Sequence, residues 1–224
     1  MFPILQVCAG ERTDLEIGLP EDLAIFAHAV NHGDLSGRAD LTVRLTADLD
    51  MTGFRWVPVG FGEAEFAGLF DGGGHTVQGL TIQKKGPGNY GLFGSVSGTV
   101  QNVAAAGTIQ NLAGDPHSAL GGIVGELSGG VVEQGGLVQN CRSSARMKNV
   151  QAHFLYLGGV AGCVRDSRVE DCAFAISLTA QGGEGQYIQA GDVTGSIQGE
   201  SALVNCVHWE TADGTFFERE EAVT

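Results

Sequence analysis

His28 and His32 stand four residues apart in a helix-like stretch, a spacing that puts both imidazoles on one face and could hold zinc. Position 29 is Ala, so the H-E-x-x-H arrangement fails, and solvent-facing histidines are the expectation. Asp71 and His75 flank three glycines and have the types of an acid–base pair. The plainer reading has Asp71 bonding its own turn backbone and His75 packing or capping. Asp48 and Asp50, with Asp71, could bind calcium through several oxygens, against the alternative of a solvated acidic face. Gly72-Gly73-Gly74-His75-Thr76 lacks the aspartate of the calcium-binding G-G-x-G-x-D repeat. Asp166, Glu170 and Asp171 could supply the two carboxylates of glycoside hydrolysis, with Arg165 or Arg168 binding an acidic sugar. Strand alternation, however, turns neighbouring side chains to opposite faces. Gly86-Pro87-Gly88-Asn89-Tyr90-Gly91 matches G-x-G-x-x-G, but it contains a proline and no helix follows. No G-x-S-x-G is present, and none of the 5 cysteines forms a C-x-x-C pair or an active-site phrase. Glu218, Glu220 and Glu221 read as solvation. No catalytic, cofactor-binding or metal-ligating residue is therefore assigned, and ligand-binding residues stay unassigned.

The elements that would position these groups are announced by a repeat. Gly91-Leu92-Phe93-Gly94 recurs as Gly122-Ile123-Val124-Gly125, Gly159-Val160-Ala161-Gly162 and Asp192-Val193-Thr194-Gly195, with Gly68-Leu69-Phe70-Asp71 read as a weaker first copy. The closing glycines of the later four, at 94, 125, 162 and 195, lie 31, 37 and 33 residues apart. After each of those four comes a short apolar strand ending in an amide or acid: Val100-Gln101-Asn102-Val103, Val138-Gln139-Asn140-Cys141, Val169-Glu170-Asp171-Cys172 and Val204-Asn205-Cys206. Units this small cannot bury an apolar face alone, so they must stack. Stacking predicts a ladder of Asn102, Asn140, Asp171 and Asn205, in which Asp171 accepts but cannot donate. It also predicts an interior column of Val103, Cys141, Cys172 and Cys206, with the thiols reduced, unreactive and close in space. The phrase glycines are expected to take positive φ or to allow close backbone approach.

Composition narrows the partners. The chain has 224 residues, 36 glycines and a net charge of −14, a field that repels nucleic acid and anionic membranes. No apolar run approaches the length of a spanning helix, so membrane insertion is not expected. The N-terminus reads as too short in apolar residues for a signal peptide, and Val7 before Cys8 is too large for a lipoprotein site.

Residues 20 to 31 form the one convincing helix, with Leu23, Phe26, Ala27 and Val30 on a single face. Pro20 suits the first helical position, and Glu21 and Asp22 complement the positive helix end. Leu41-Thr42-Val43-Arg44-Leu45 alternates as a strand, and Phe66 to Val77 follows with Gly79-Leu80-Thr81-Ile82. The stretch from Leu41 to Ile82 resembles the opening of bacterial GLUG-motif proteins, whose pattern runs roughly F-x-G-x-F-D-G-x-G-H-T-[IV]-x-G-L-x-I. Gly91-Leu92-Phe93-Gly94-Ser95-Val96, with Val100-Gln101-Asn102-Val103, is similar to the GLUG motif itself, and the helix is similar to the one preceding it. The resemblance spans about residues 18 to 206 and is strongest from 41 to 103.

Such motifs occur in adhesin-like proteins and immunoglobulin A-cleaving metallopeptidases, and supply no catalytic residues. Together these features predict an all-β chain, a right-handed parallel β-helix of about five irregular glycine-rich coils with one N-terminal capping helix. Residues 1–40 are expected to be the cap, 41–206 the repeat region, and 207–224 a C-terminal cap or tail. The resemblance implies a non-catalytic, monomeric module of a bacterial surface protein, extracellular, requiring no cofactor and binding a glycan or host protein. A passive spacer is the alternative reading, followed by a polysaccharide-degrading enzyme. Ligand contacts are expected on an exposed strand face or in the insertions at 113–120 (with Asp115 and His117), 133–136 and 180–186, with Tyr187 beside the last.

Overall fold

A computed structural model describes every residue except 1–2, 11, 85–86, 112–117, 130–134, 150–153, 176–177, 181–186, 213–214 and 223–224. Gly86, Asp115, His117 and most of the three expected insertions lie outside the described residues. Among the described residues two helices, α1 (Pro3–Cys8) and α2 (Pro20–Asn31), flank a first strand at Asp14–Ile17, and strands joined by turns make up the remainder. None of the described helices is long and apolar enough to cross a membrane.

α2 occupies the limits its sequence predicts. Leu23, Phe26, Ala27 and Val30 are buried, while His28 and His32 are exposed. Leu19 contributes no capping side chain, so its carbonyl alone receives the N–H groups of Asp22 and Leu23 at 3.1 and 3.3 Å. Gly33, at φ +94°, ends the helix. The expectation of a single N-terminal helix is corrected by α1. At 6 residues it is too short to show periodicity and is held by tertiary contact, with Val7 fully buried and the Val7 carbonyl bonded by Arg38 Nη1 at 3.2 Å.

The strands assemble into four sheets, with one parallel strand added by each successive repeat. The first sheet runs Asp14–Ile17, Thr42–Leu45, Leu69–Asp71, Thr99–Gln101, Leu137–Gln139, Arg168–Glu170 and Ala202–Val204. It begins inside the stretch assigned to the N-terminal cap. The second runs Gly88–Tyr90, Ser118–Gly121, Phe154–Gly158 and Tyr187–Gly191; the third runs Phe93–Val96, Val124–Ser128, Ala161–Arg165 and Thr194–Gln198. The fourth runs from Leu49–Asp50 through Thr76–Lys84, Ala104–Asn111, Arg142–Asn149 and Ala173–Phe174 to Val207–Ala212. Thr215–Ala222 then pairs antiparallel with Val207–Ala212 and carries Glu218, Glu220 and Glu221.

Register places equivalent residues over one another, so Val100, Val138 and Val169 form a fully buried column. An aromatic cluster closes the early layers. Phe26 of α2 lies 5.8 Å from Phe66 and 6.5 Å from Phe70, and Phe93 lies 5.6 Å and 5.0 Å from the same rings. α2 thereby covers apolar surface that the first repeats would otherwise expose.

The ladder forms as two runs, Asp71–Asn102–Asn140 and Asp171–Asn205, the first beginning one residue earlier than expected. Asn102 Nδ2 donates to Asp71 Oδ1 at 3.0 Å, Asn140 Nδ2 to Asn102 Oδ1 at 2.8 Å, and Asn205 Nδ2 to Asp171 Oδ1 at 3.1 Å. Each amide reaches back to the preceding layer, so Asp171 fits as an acceptor. Asn102, Asn140, Asp171 and Asn205 also take φ of 55°, 49°, 51° and 52°, the left-handed region that Asn and Asp enter most readily among residues with side chains. The phrase glycines do not supply the positive φ. Gly125, Gly162 and Gly195 are needed for close approach, because a Cβ there would overlap the backbone nitrogens of Tyr90, Leu120 and Leu157.

The interior column is as the stacking predicts. Val103, Cys141, Cys172 and Cys206 are at most 1% exposed, and all five cysteines are unbridged. Cys172 Sγ donates to the Glu170 carbonyl oxygen at 3.1 Å, and its thiol is pushed up chiefly by the neighbouring Cys141 thiol. That of Cys206 is pushed up by the neighbouring Cys172 thiol and then by burial.

Gly68-Leu69-Phe70-Asp71 is not the first copy of the phrase. Leu69–Asp71 pairs with Thr99–Gln101, which makes it the forerunner of the amide-ended strand, not of Phe93–Val96. The forerunner of the phrase is Val59-Gly60, where Gly94 N–H donates to the Val59 carbonyl and Ser95 N–H to the Gly60 carbonyl, both at 2.8 Å. The two were confusable because both strands carry an inward phenylalanine near a glycine.

Candidate functional site

The groups singled out for chemistry are separated and engaged. His75 Nδ1 meets Asp48 Oδ1 at 3.2 Å, not Asp71, and the Asp48 oxygen also accepts Thr76 N–H at 2.9 Å. Those two bonds, the backbone one first, hold the Asp48 carboxyl below the ordinary carboxylate range. Asp71 accepts Gly73 N–H at 3.0 Å, the turn role its sequence suggests. Asp50 is closed onto the hydroxyl and N–H of Thr52, at 2.6 and 2.9 Å. Among the described residues no three His, Cys, Asp or Glu side chains converge as a metal site. The lyase-like trio is also dispersed: Asp166 accepts Glu200 N–H at 2.9 Å, Glu170 pairs with Arg168, and Asp171 belongs to the ladder.

A different surface gathers recognition chemistry. On the second sheet Phe154 and Tyr156 alternate with buried Leu155 and Leu157, so both rings face outward. Phe154 is in register with Tyr187, their ring centroids are 5.7 Å apart, and they remain 40% and 51% exposed. Tyr187 Oη donates to Gln189 Oε1 at 3.4 Å, and Gln189 is in register with Tyr156. Asn89 stands in the same column two layers earlier and reaches over the corner into the third sheet. Its Nδ2 lies 3.0 Å from Ser95 Oγ and 2.8 Å from Glu126 Oε2. Arg165 continues this seam, with Nη1 3.4 Å from Glu126 Oε1 and Nε 3.1 Å from Gln198 Oε1. Cys163 lies buried beside it, its thiol pushed up by burial and then by the Glu126 carboxylate. The surface thus joins an aromatic platform to a line of amide, carboxylate and guanidinium groups. Such a surface can stack on an apolar ring face and bond hydroxyls at its margin.

No protein-family model matches the chain, and no curated protein matches it. Among solved structures, the crystal structure of a "putative immunoglobulin A1 protease" from Bacteroides ovatus is similar at a TM-score of 0.49 and 18% identity. The match covers 92% of this chain and 79% of that one. The likeness is distant.

Phe154 and Tyr156 belong to no charged pair or motif phrase in the sequence. The available signal was the alternation Phe154-Leu155-Tyr156-Leu157, which marks a half-buried strand with aromatic residues on its open face. Tyr187, which follows the expected insertion at 180–186, is on this surface.

Asp71 yields a pH prediction. Burial raises its carboxyl, but bonds from Asn102, Gly73 and Gln101, with Arg44 nearby, outweigh burial and leave the pKa below the ordinary value. A depressed folded value contributes stability that is present above the unfolded pKa of about 3.9 and is lost as pH falls through the folded one. Asp71→Asn should be less stable than the parent at neutral pH, and the gap should close on acidification. Parallel stability–pH curves in denaturant titrations would show that Asp71 carries no such linkage.

Proposed function

We propose that the chain is a non-catalytic recognition module that binds a glycan on its outward aromatic face, presented by a right-handed parallel β-helix of about five glycine-rich coils. Support for the coil comes from four sheets that each gain one parallel strand per repeat in the same order. The observation that carries the binding role is the Phe154–Tyr187 ring pair, exposed on adjacent strands beside Gln189 and Tyr156. Rings fixed to a rigid sheet lose little conformational freedom on binding, which favours recognition with few contacts. The engagement of Asp166, Glu170 and Asp171 in separate contacts argues for binding over polysaccharide cleavage. The GLUG-like motifs support placement in an extracellular, adhesin-like bacterial surface protein, as a monomeric module whose repetition would add avidity.

The test is a glycan and matrix-protein array on the whole chain, followed by titration of the best ligand. Phe154→Ser with Tyr187→Ser should weaken glycan binding by about tenfold or more, since aromatic anchors contribute more than ~1 kcal/mol each. Circular dichroism should be unchanged. Silence across the array leaves the passive spacer, selective capture of a matrix protein makes the partner a protein, and polysaccharide turnover makes the chain an enzyme. Each of those results rejects the glycan reading.

A further inference from the structure

A concave site lies between α2 and the segment around residues 54–61. It is an open cavity of about 420 Å³, inside the ~300–1,000 Å³ range of small-ligand sites. Half-buried Phe54 and Phe61 and the edge of Trp56 give it aromatic walls, and His28, His32 and Arg55 stand on its rim. Among the described residues no acidic side chain lines it. On a chain of net charge −14, a cavity whose described lining carries two imidazoles and a guanidinium is a local reversal of sign.

The walls are fixed in advance. Trp56 Nε1 donates to the Leu92 carbonyl at 3.1 Å, which holds the indole in place. Asn31 clamps the helix to the facing segment, with Nδ2 donating to the Pro58 carbonyl at 2.9 Å and Oδ1 accepting the N–H groups of Gly60 and Phe61 at 2.8 Å each. The rim is set as well. His28 and His32 stack with centroids 3.8 Å apart and planes 13° from parallel. His32 Nδ1 lies 2.9 Å from the His28 carbonyl oxygen. A carbonyl only accepts, so Nδ1 carries the hydrogen, and the neutral ring presents Nε2 as a lone pair. His32 can then donate to an anion only after protonation.

We infer that this cavity binds a carboxylated ring, with Arg55 and protonated His32 holding the carboxylate and Phe54 and Phe61 packing on the ring face. Arg55 has the fork that matches a carboxylate in two parallel bonds. The same chemistry describes an acidic sugar and an aromatic acid. The site is independent of the Phe154–Tyr187 surface.

Calorimetric titration of the whole chain with D-glucuronate, benzoate and D-glucose distinguishes these sources. Glucuronate or benzoate should bind at least tenfold more tightly than glucose, and the tighter of the two identifies the ring. Affinity should rise from about pH 8 to about pH 5.5, with proton uptake visible as a dependence of the heat on buffer ionisation enthalpy. Arg55→Gln and His32→Gln should each weaken binding about tenfold, as loss of a charge-assisted bond does. Both residues are exposed, so neither change opens the core. Tyr187→Ser should leave this binding unchanged, so a failure of the glycan surface stays separable from a failure here. Equal binding of glucose, no binding of either acid, or indifference to Arg55→Gln overturns the inference.

Discussion

Phe93→Ala is expected to lower the unfolding free energy by about 3–5 kcal/mol, the usual cost of emptying a buried phenylalanine site. Phe93 is fully buried and packs on Phe66 and Phe70, which in turn meet Phe26 of α2. Its loss therefore opens a cavity where the helix, the first repeats and the phrase strand all meet. Rigid parallel strands on several sides leave little room for collapse, which places the change toward the upper part of that range. Phe93→Leu keeps most of the volume and should cost less than ~1.5 kcal/mol. Urea titration of the three proteins checks this. A loss under ~1 kcal/mol for the alanine variant would mean that α2 does not depend on this cluster.

Asn140→Ala is the second large effect, and its cause is different. Alanine at φ 49° costs about 1–2 kcal/mol, and the lost bond to Asn102 adds about 0.5–1.5 kcal/mol, for a total of roughly 1.5–3.5 kcal/mol. Glycine takes the left-handed backbone cheaply, so Asn140→Gly should lose only the ladder bond, about 0.5–1.5 kcal/mol. The order of the two variants is the diagnostic, measured in the same denaturant titration. If Asn140→Gly were as damaging as Asn140→Ala, the side-chain ladder would dominate. If both were neutral, the recurrence of Asn and Asp at this corner would have no energetic basis.

The same corner shows how far the residues speak for themselves. That Asn102, Asn140, Asp171 and Asn205 align was legible, because each follows a short apolar strand at the same place in its repeat. That they carry the positive φ was not, because a side-chain ladder and a left-handed turn call for the same residue types. The copy at Gly68-Leu69-Phe70-Asp71 was misplaced for a similar reason. A four-residue phrase has too few letters to separate two strands that both bury a phenylalanine beside glycine, and only hydrogen-bond register tells them apart. α1 fell below the length at which periodicity can be seen.

By itself the sequence determined what depends on local pattern and repetition: α2, the parallel stacking of short strands and the buried thiol column. Those follow because side-chain period and stacking order are properties of the chain. The tertiary structure decided which distant residues meet. His75 faces Asp48, 27 positions away, and not the nearby Asp71. Phe154 meets Tyr187 only because two repeats pair in register, and Arg55 joins His32 only because Asn31 clamps α2 to the facing segment. Such encounters are set by the number of residues in each intervening turn and by the register that burial selects, and neither quantity is written at the positions that meet.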